Sequence, residues 1–295
     1  MKKLLTIGTR ASKLALWQAN HVKEFLLKNF PDIDVELREI ITTGDANSED
    51  TIESFGGKNI FVKEIEQALI SKEIDIAVHS YKDLPAKLPE GLEVISTSNR
   101  EDPRDVLVSK SNKTLMDLND NPKIGTGSSR RSEQLAHIRK DVNIIPIRGN
   151  VDTRIRKALE TDIDGVVLAN AGIKRLGLSN HVCELFDIDV IVPSPLQGFL
   201  AIEAREDADL TKYFEHFSSE ESVLVSNYER QFLKDLNLGC QYPAGFCMQV
   251  HNDNKFSFNY FLKGSKKEVK NKEVFSYSDL LAQYSKMVDT LAPII

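Results

Sequence analysis

Cysteine is scarce in this 295-residue chain: Cys183, Cys240 and Cys247 are its three. So few sulfurs exclude a disulfide scaffold, and the odd number points to a reducing compartment. Cys240 and Cys247 could pair or share a metal, but their spacing fits no common zinc pattern and no second cysteine pair accompanies them. No stretch approaches the ~20 apolar residues needed to span a bilayer, so no membrane partner is expected. MKKLLTIGTR starts with two lysines as a signal peptide does. Gly8 and Arg10 cut its apolar run short, which reads as a first strand and predicts a cytoplasmic protein. Positive charge is not in excess either: 38 Lys and Arg against 44 Asp and Glu give a net charge of -6, which argues against nucleic acid as a partner. Internal repeats and low-complexity segments are lacking. What is present, 41% hydrophobic residues, suits a globular protein with two or three ordinary cores.

The first two-thirds alternates strand and helix patterns. KLLTIGT, VELREII and IDIAVHS read as strands. SKLALWQANHVKEFLLKNF has helical spacing, with Leu14, Trp17, Val22, Phe25 and Leu26 largely on one face and Ser12 as N-cap. The polar, glycine-bearing TTGDANSEDTIESFGGKN reads as a binding loop or lid, and IFVKEIEQALISK as a helix. After the charged stretch NREDPRD a second series begins: KIGTG, VNIIPI and DGVVLAN as strands, with SSRRSEQLAHIRK, NVDTRIRKALE and AGIKRLG as helices. Such uniformly apolar strands separated by helices predict parallel sheets covered on both faces. VPSPLQGFLAIEARED reads as a return crossing. The expected fold is α/β: domain 1 over residues 1–98 with 199–216, domain 2 over 99–198, and a small C-terminal α+β domain over 217–295.

In open parallel sheets, ligands bind beyond the carboxyl ends of the strands. There this chain carries Arg10, then Tyr81, Lys82 and Asp83, then Ser128, Ser129, Arg130 and Arg131, then Arg148 and Arg154, then Lys174 and Arg175. A cation at a helix start opposes the macrodipole, so its repetition suggests selection for binding an anion. Arginine grips carboxylates and phosphates with a fork of donors, and helix N-termini add backbone N–H groups. One crevice for a ligand with several negative groups is expected. Ordinary surface arginines would produce the same pattern by chance at any single position.

Asp83, in HSYKDLP, is either a turn cap before Pro85 or the acid of the cationic crevice, able to handle protons. His79 has no second histidine at ligand spacing, and no metal is assigned to it. Cys240, in NLGCQYPAGFC, sits among glycines and a proline, in turn composition. It is an inert thiol, a nucleophile lacking an identifiable histidine partner, or an exposed covalent anchor. Gly239 and Gly245 would allow bulky material close to the backbone.

IGTRASKLALWQA, GGKNIFVKEIE, DIAVHSYKDLP, REDPRDVLVS, GTGSSRR, IRGNVDTRI, NAGIKRLGL and GCQYPAG together resemble the porphobilinogen deaminase (hydroxymethylbilane synthase) family. The resemblance runs from Leu5 to about Gly245. It implies two domains like those of type II periplasmic binding proteins plus a third. It implies a transferase of tetrapyrrole, porphyrin and heme biosynthesis, expected as a monomer, that joins four porphobilinogen units head to tail with loss of ammonia. It further implies a dipyrromethane cofactor bound covalently to Cys240, Asp83 as the catalytic carboxylate, and Lys82, Asp83, Thr126, Ser128, Arg130, Arg131 and Arg148 as cofactor-binding residues. Arg10, Ser12, Arg148, Arg154 and Arg175 would bind substrate carboxylates, and Lys58 and Phe61 would belong to a lid. The chain departs from the usual pattern at Leu238 and Leu196, where glycines are more common, and at Gly127 and Ser129. The alternative is a non-catalytic anion receptor on the same bilobal scaffold, which would have no use for Asp83 or Cys240.

Overall fold

The computed structural model describes residues 2–43, 62–239 and 242–295. Cys240, Lys58, Phe61 and most of the expected binding loop lie outside them. The chain forms two compact units, Met1–Glu101 with Gly198–Val223, and Asp102–Gln197 with Leu224–Ile295.

The first unit is built on a five-stranded sheet in the order β2-β1-β3-β10-β4. Its strands are β1 (Lys3–Thr9), β2 (Ile33–Glu39), β3 (Ile76–Ser80), β4 (Leu92–Thr97) and β10 (Leu200–Arg205). β1 runs parallel to β2 and β3, but β10 is antiparallel to both β3 and β4. The expectation of a purely parallel sheet is therefore corrected. The returning segment enters the sheet from the opposite end, between two strands already laid down, so its direction reverses.

Side-chain alternation along these strands makes two cores. Leu5, Ile7, Ile76, Val78, Ile202 and Ala204 face one way and meet Ala19, Val22 and Leu26 of α1 (Lys13–Asn29). Ala77 faces the other way with Ile74 and Leu92, under Ile65, Ala68 and Leu69 of α2 (Lys63–Ile70). The Ser12 hydroxyl accepts from the Ala15 N–H at 3.3 Å, capping α1 as expected. The buried stripe of α1 is Gln18, Ala19, Val22 and Leu26. Trp17 is exposed instead, stacked on His21 with ring centroids 5.2 Å apart.

The second unit has a five-stranded sheet in the order β7-β6-β8-β5-β9. These strands are β5 (Asp105–Ser109), β6 (Lys123–Gly125), β7 (Asn143–Ile145), β8 (Gly165–Ala169) and β9 (Glu184–Leu185). β6 is parallel to β7 and β8, whereas β5 is antiparallel to β8. One face packs Val106, Val108, Val166 and Leu168 on Ile155 and Ala158 of α4 (Val151–Glu160). The other packs Leu107, Ile124 and Val167 on Leu135 of α3 (Ser129–Ile138). The short α5 (Asn170–Arg175) follows β8.

The same unit holds an antiparallel meander of β11 (Ala244–His251), β12 (Lys255–Lys263) and β13 (Glu268–Ser276). Phe246 and Phe258 of the meander pack edge to face at 5.2 Å. Phe232 of α6 (Glu220–Asp235) stacks on Phe246 at 4.6 Å, and Tyr284 of α7 (Leu280–Leu291) meets Phe258 at 6.2 Å. Buried Glu229 of α6 accepts the N–H of Leu196 at 2.5 Å and of Met248 at 2.9 Å. Leu196 is held in the left-handed region, φ 65°, where a glycine would rest without strain. Gly245 has no such torsion. A Cβ there would lie 2.7 Å from the Val192 carbonyl oxygen and 3.0 Å from that of Pro193, and the Phe246 N–H donates to the same Pro193 oxygen at 3.0 Å. The room that glycine makes is taken by the protein's own backbone, not by a bulky ligand as the sequence suggested.

Candidate functional site

The first unit gathers Arg10, Ser12, Lys82 and Asp83 at the carboxyl edge of its sheet. β1 and β3 are parallel neighbours, so both deliver their following residues to one side. Arg10 leaves β1 half-buried, and Ser12 caps α1 beside it. β3 ends in a single turn of 3₁₀ helix, Tyr81–Asp83. The turn is pinned at both ends. The Tyr81 N–H donates to the Phe199 carbonyl at 3.1 Å, and the Leu84 N–H closes back on the Tyr81 carbonyl at 3.2 Å. The Gln18 amide of α1 donates to the Ser80 hydroxyl at 2.8 Å. Tyr81 and Leu84 are buried, so Lys82 and Asp83 are carried between two anchored apolar side chains, with Asp83 exposed. An exposed carboxylate on a rigid turn, beside cations, can meet a bound anion's reacting atoms and exchange protons with them.

The second unit places Thr126, Ser128, Arg130, Arg131, Arg148, Arg154 and Arg175 after the carboxyl ends of β6, β7 and β8. Thr126 is buried, and its hydroxyl accepts from the Ser128 N–H at 3.2 Å. The Ser128 side chain caps α3 through the Arg131 N–H at 3.4 Å. Arg148, Arg154 and Arg175 are half-buried, and the Arg154 Nε donates to the Gly149 carbonyl at 2.7 Å.

Arg130 and Arg131 differ from the others. Both are buried, and both hold Asp105, which is fully buried at the start of β5. Arg130 Nη1 donates to Oδ2 at 2.7 Å; Arg131 donates to Oδ1 through Nη2 at 2.7 Å and Nε at 3.1 Å. Gln197 adds a donor to Oδ1 at 2.9 Å. The antiparallel course of β5 explains the meeting: its first residue lies opposite Ala169, the last of β8, at the same edge as the start of α3. Burial by itself would raise the proton affinity of Asp105. The charges and hydrogen bonds of the two guanidiniums outweigh it and hold the carboxyl far below the usual carboxylate range. Two cations and one anion leave one net positive charge at this edge. Nearby, Asp102 receives Arg104 Nη2 at 2.8 Å and the Asn170 amide at 2.9 Å. Burial opposes ionisation there too, but the hydrogen bonds from Arg104 hold that carboxyl low.

Sequence reasoning passed over Asp105. Within REDPRDV it reads as one more acid in a charged linker, and the only signal was its place immediately before an apolar strand. Glu66, His79 and Glu203 were missed as a group. They are buried in the first unit, and their signal was an ionisable residue inside an apolar strand, as in IAVHS and LAIEAR. No cluster of metal-ligating side chains occurs among the described residues, and no helix there is long and apolar enough to cross a membrane.

A family model described as "Porphobilinogen deaminase, dipyromethane cofactor binding domain" matches residues 5–213. A porphobilinogen deaminase of Syntrophomonas wolfei is 47% identical over 81% of this chain and 79% of its own length. One of Chloroherpeton thalassium is 43% identical over 85% of this chain and 81% of its own. Among solved structures, a nutrient-binding protein from Burkholderia cenocepacia bound to methionine aligns at 14% identity and a TM-score of 0.43, covering 71% of this chain and 89% of that one.

Proposed function

The chain belongs to the porphobilinogen deaminase family, and on that premise we propose that it joins four porphobilinogen units head to tail, releasing ammonia at each step, to give hydroxymethylbilane. Every pyrrole unit of this substrate carries two carboxylates, so a growing chain needs many cationic donors. The residues at both sheet edges fit that need. Arg10, Ser12, Arg148, Arg154 and Arg175 are assigned to substrate carboxylates. Lys82, Asp83, Thr126, Ser128, Arg130, Arg131 and Arg148 are assigned to the dipyrromethane, with Cys240 as its thioether anchor and Lys58 and Phe61 in a lid. When bound, the dipyrromethane supplies the nucleophilic pyrrole end from which the chain grows. Arg130 and Arg131, fixed by Asp105, present the guanidinium faces that Asp105 leaves over, and the Ser128 and Thr126 hydroxyls set the start of α3 beneath them. Asp83 delivers a proton to the departing amine and holds positive charge that develops on the ring it faces.

The turn Tyr81–Asp83 carries this reading most directly, because it offers one exposed carboxylate on an anchored support beside Lys82. A receptor would share the arginines but has no need of such an acid or of a tethering thiol, and the family assignment does not favour it. The chain is further assigned to the cytoplasm as a monomer that binds neither nucleic acid nor membrane. It is assigned three domains, with the boundaries 1–98 with 199–216, 99–198 and 217–295, each around one of the three sheets.

The intact mass of freshly purified protein tests the core of this proposal. The expected value exceeds that of the bare chain by two pyrrole units, reacts with Ehrlich's reagent and is lost in Cys240→Ala. A folded, inactive protein of unmodified mass would remove the deaminase reading. Asp83→Ala is expected to fold, to retain the adduct and to lose turnover by about 10²- to 10⁴-fold; turnover near that of the parent would take Asp83 out of the reaction.

A further inference from the structure

Three ionisable side chains are buried in the core of the first unit: Glu66 at 4% exposure, His79 at 6% and Glu203 at 0%. Strand alternation brings them together. Ile76 and Val78 of β3 face α1, so His79 faces α2 with Ala77. On β10, Ile202 and Ala204 face α1, so Glu203 faces α2 as well. β3 and β10 pair with Ala201 opposite His79 and Glu203 opposite Ala77, which makes His79 and Glu203 diagonal neighbours. The His79 Nε2 and Glu203 Oε2 lie 3.0 Å apart. Glu66 is buried on the inner side of α2 above them. Among the described residues, Oε1 of Glu203 and Oε1 of Glu66 are both buried without a hydrogen-bond partner.

Two carboxyl groups and one imidazole in an apolar layer balance their charge when one carboxyl keeps its proton. Two carboxylates facing one imidazolium would leave an uncompensated negative charge in the core. Burial, reinforced by the charge of Glu203 and opposed by that of His79, pushes the Glu66 carboxyl up to about 7. Other charged groups around α2 are engaged elsewhere. Arg205 of β10 donates to the Leu69 and Ile74 carbonyls, Asp75 accepts the Thr6 N–H of β1, and Glu64 accepts from Thr43. Glu93 of β4 and Lys63 of α2 are exposed.

The cluster lies directly below the functional turn. Two residues beyond His79, Tyr81 starts the turn by donating to Phe199, just ahead of the strand that carries Glu203. We propose that Glu66, His79 and Glu203 act together as a positioning group in which Glu66 keeps its proton while His79 and Glu203 tie the end of β3 to β10, so that Lys82 and Asp83 are held in place for catalysis. Loss of the Glu66 proton puts a second carboxylate beside Glu203 in the same buried layer, weakens the tie and loosens the turn. The proposal rests on Asp83 being the acid of the reaction.

Infrared difference spectroscopy of the holoenzyme across neutral pH tests the retained Glu66 proton without any substrate. A protonated, buried carboxyl band is expected to disappear as pH rises through about 7 and to be missing from Glu66→Gln. Absence of a titrating band in the parent protein overturns the proposal even if no variant folds. Steady-state kinetics test the positioning. Glu66→Gln, neutral at every pH, is expected to keep kcat high on the alkaline side where the parent declines. Glu203→Gln is expected to lower kcat about tenfold with KM within about twofold, about 1.4 kcal/mol of barrier, and Glu203→Asp to recover part of it. A parental pH profile in Glu66→Gln, or parental kcat in Glu203→Gln, defeats the positioning claim. Failure of the deaminase reading is seen separately, as a folded, inactive protein of unmodified mass, and failure of the Asp83 premise as unaltered turnover in Asp83→Ala; neither touches the infrared titration.

Discussion

Each α/β unit buries carboxyl groups beneath its cationic edge, and the two treat them oppositely. In the second unit Asp105 is met by two guanidiniums and stays ionised far below the ordinary range. In the first, Glu66 and Glu203 share a single histidine, and Glu66 is pushed up to about 7. Burial acts in the same direction at both places. The count of opposite charges within reach decides which effect wins.

The comparison breaks most severely at Asp105. Asp105→Asn leaves Arg130 and Arg131 buried without a counter-charge, and a stability loss of about 3–5 kcal/mol is expected by chemical denaturation. The pH signs of the two units are opposite. Asp105 has a lowered folded affinity for protons, so its contribution is complete above its ordinary 3.8 and fades as pH falls through the lower folded value. Glu66 has a raised one, so its contribution is complete below its ordinary 4.5 and is lost as pH climbs through about 7. Glu66→Gln should therefore stabilise the protein by about 3 kcal/mol above pH 7 and change little in acid. Melting curves at several pH values check this, and equal shifts at all of them would refute it. The smallest effect separates charge from packing. Gly245→Ala pushes a methyl against two backbone carbonyls and is expected to cost about 1 kcal/mol, independent of pH. Because Gly245, the second residue of β11, lies five residues past Cys240, the covalent adduct should also form more slowly, as time-resolved mass spectrometry would register.

Much of the scaffold was legible. The apolar runs of β1, β3 and β8, the Ser12 cap, and the placing of cations after strands all rest on neighbours in the chain. Trp17 was misplaced because helical spacing alone tolerates a stripe shifted by one residue, and only the packed sheet selects Ala19, Val22 and Leu26. The antiparallel strands β5 and β10 were not seen as such, since an apolar run has no direction in sequence.

Local order thus settled early: where helices start, which runs form strands, and that a turn with Lys82 and Asp83 follows β3. Periodicity, capping and turn chemistry depend on residues only a few positions apart. Which charges would be spent inside the protein was decided by folding. Arg130 reaches Asp105 across 25 residues and His79 reaches Glu203 across 124, contacts that exist only once antiparallel strands bring distant segments to one layer. Burial then sets the proton affinity of each group by what that layer supplies.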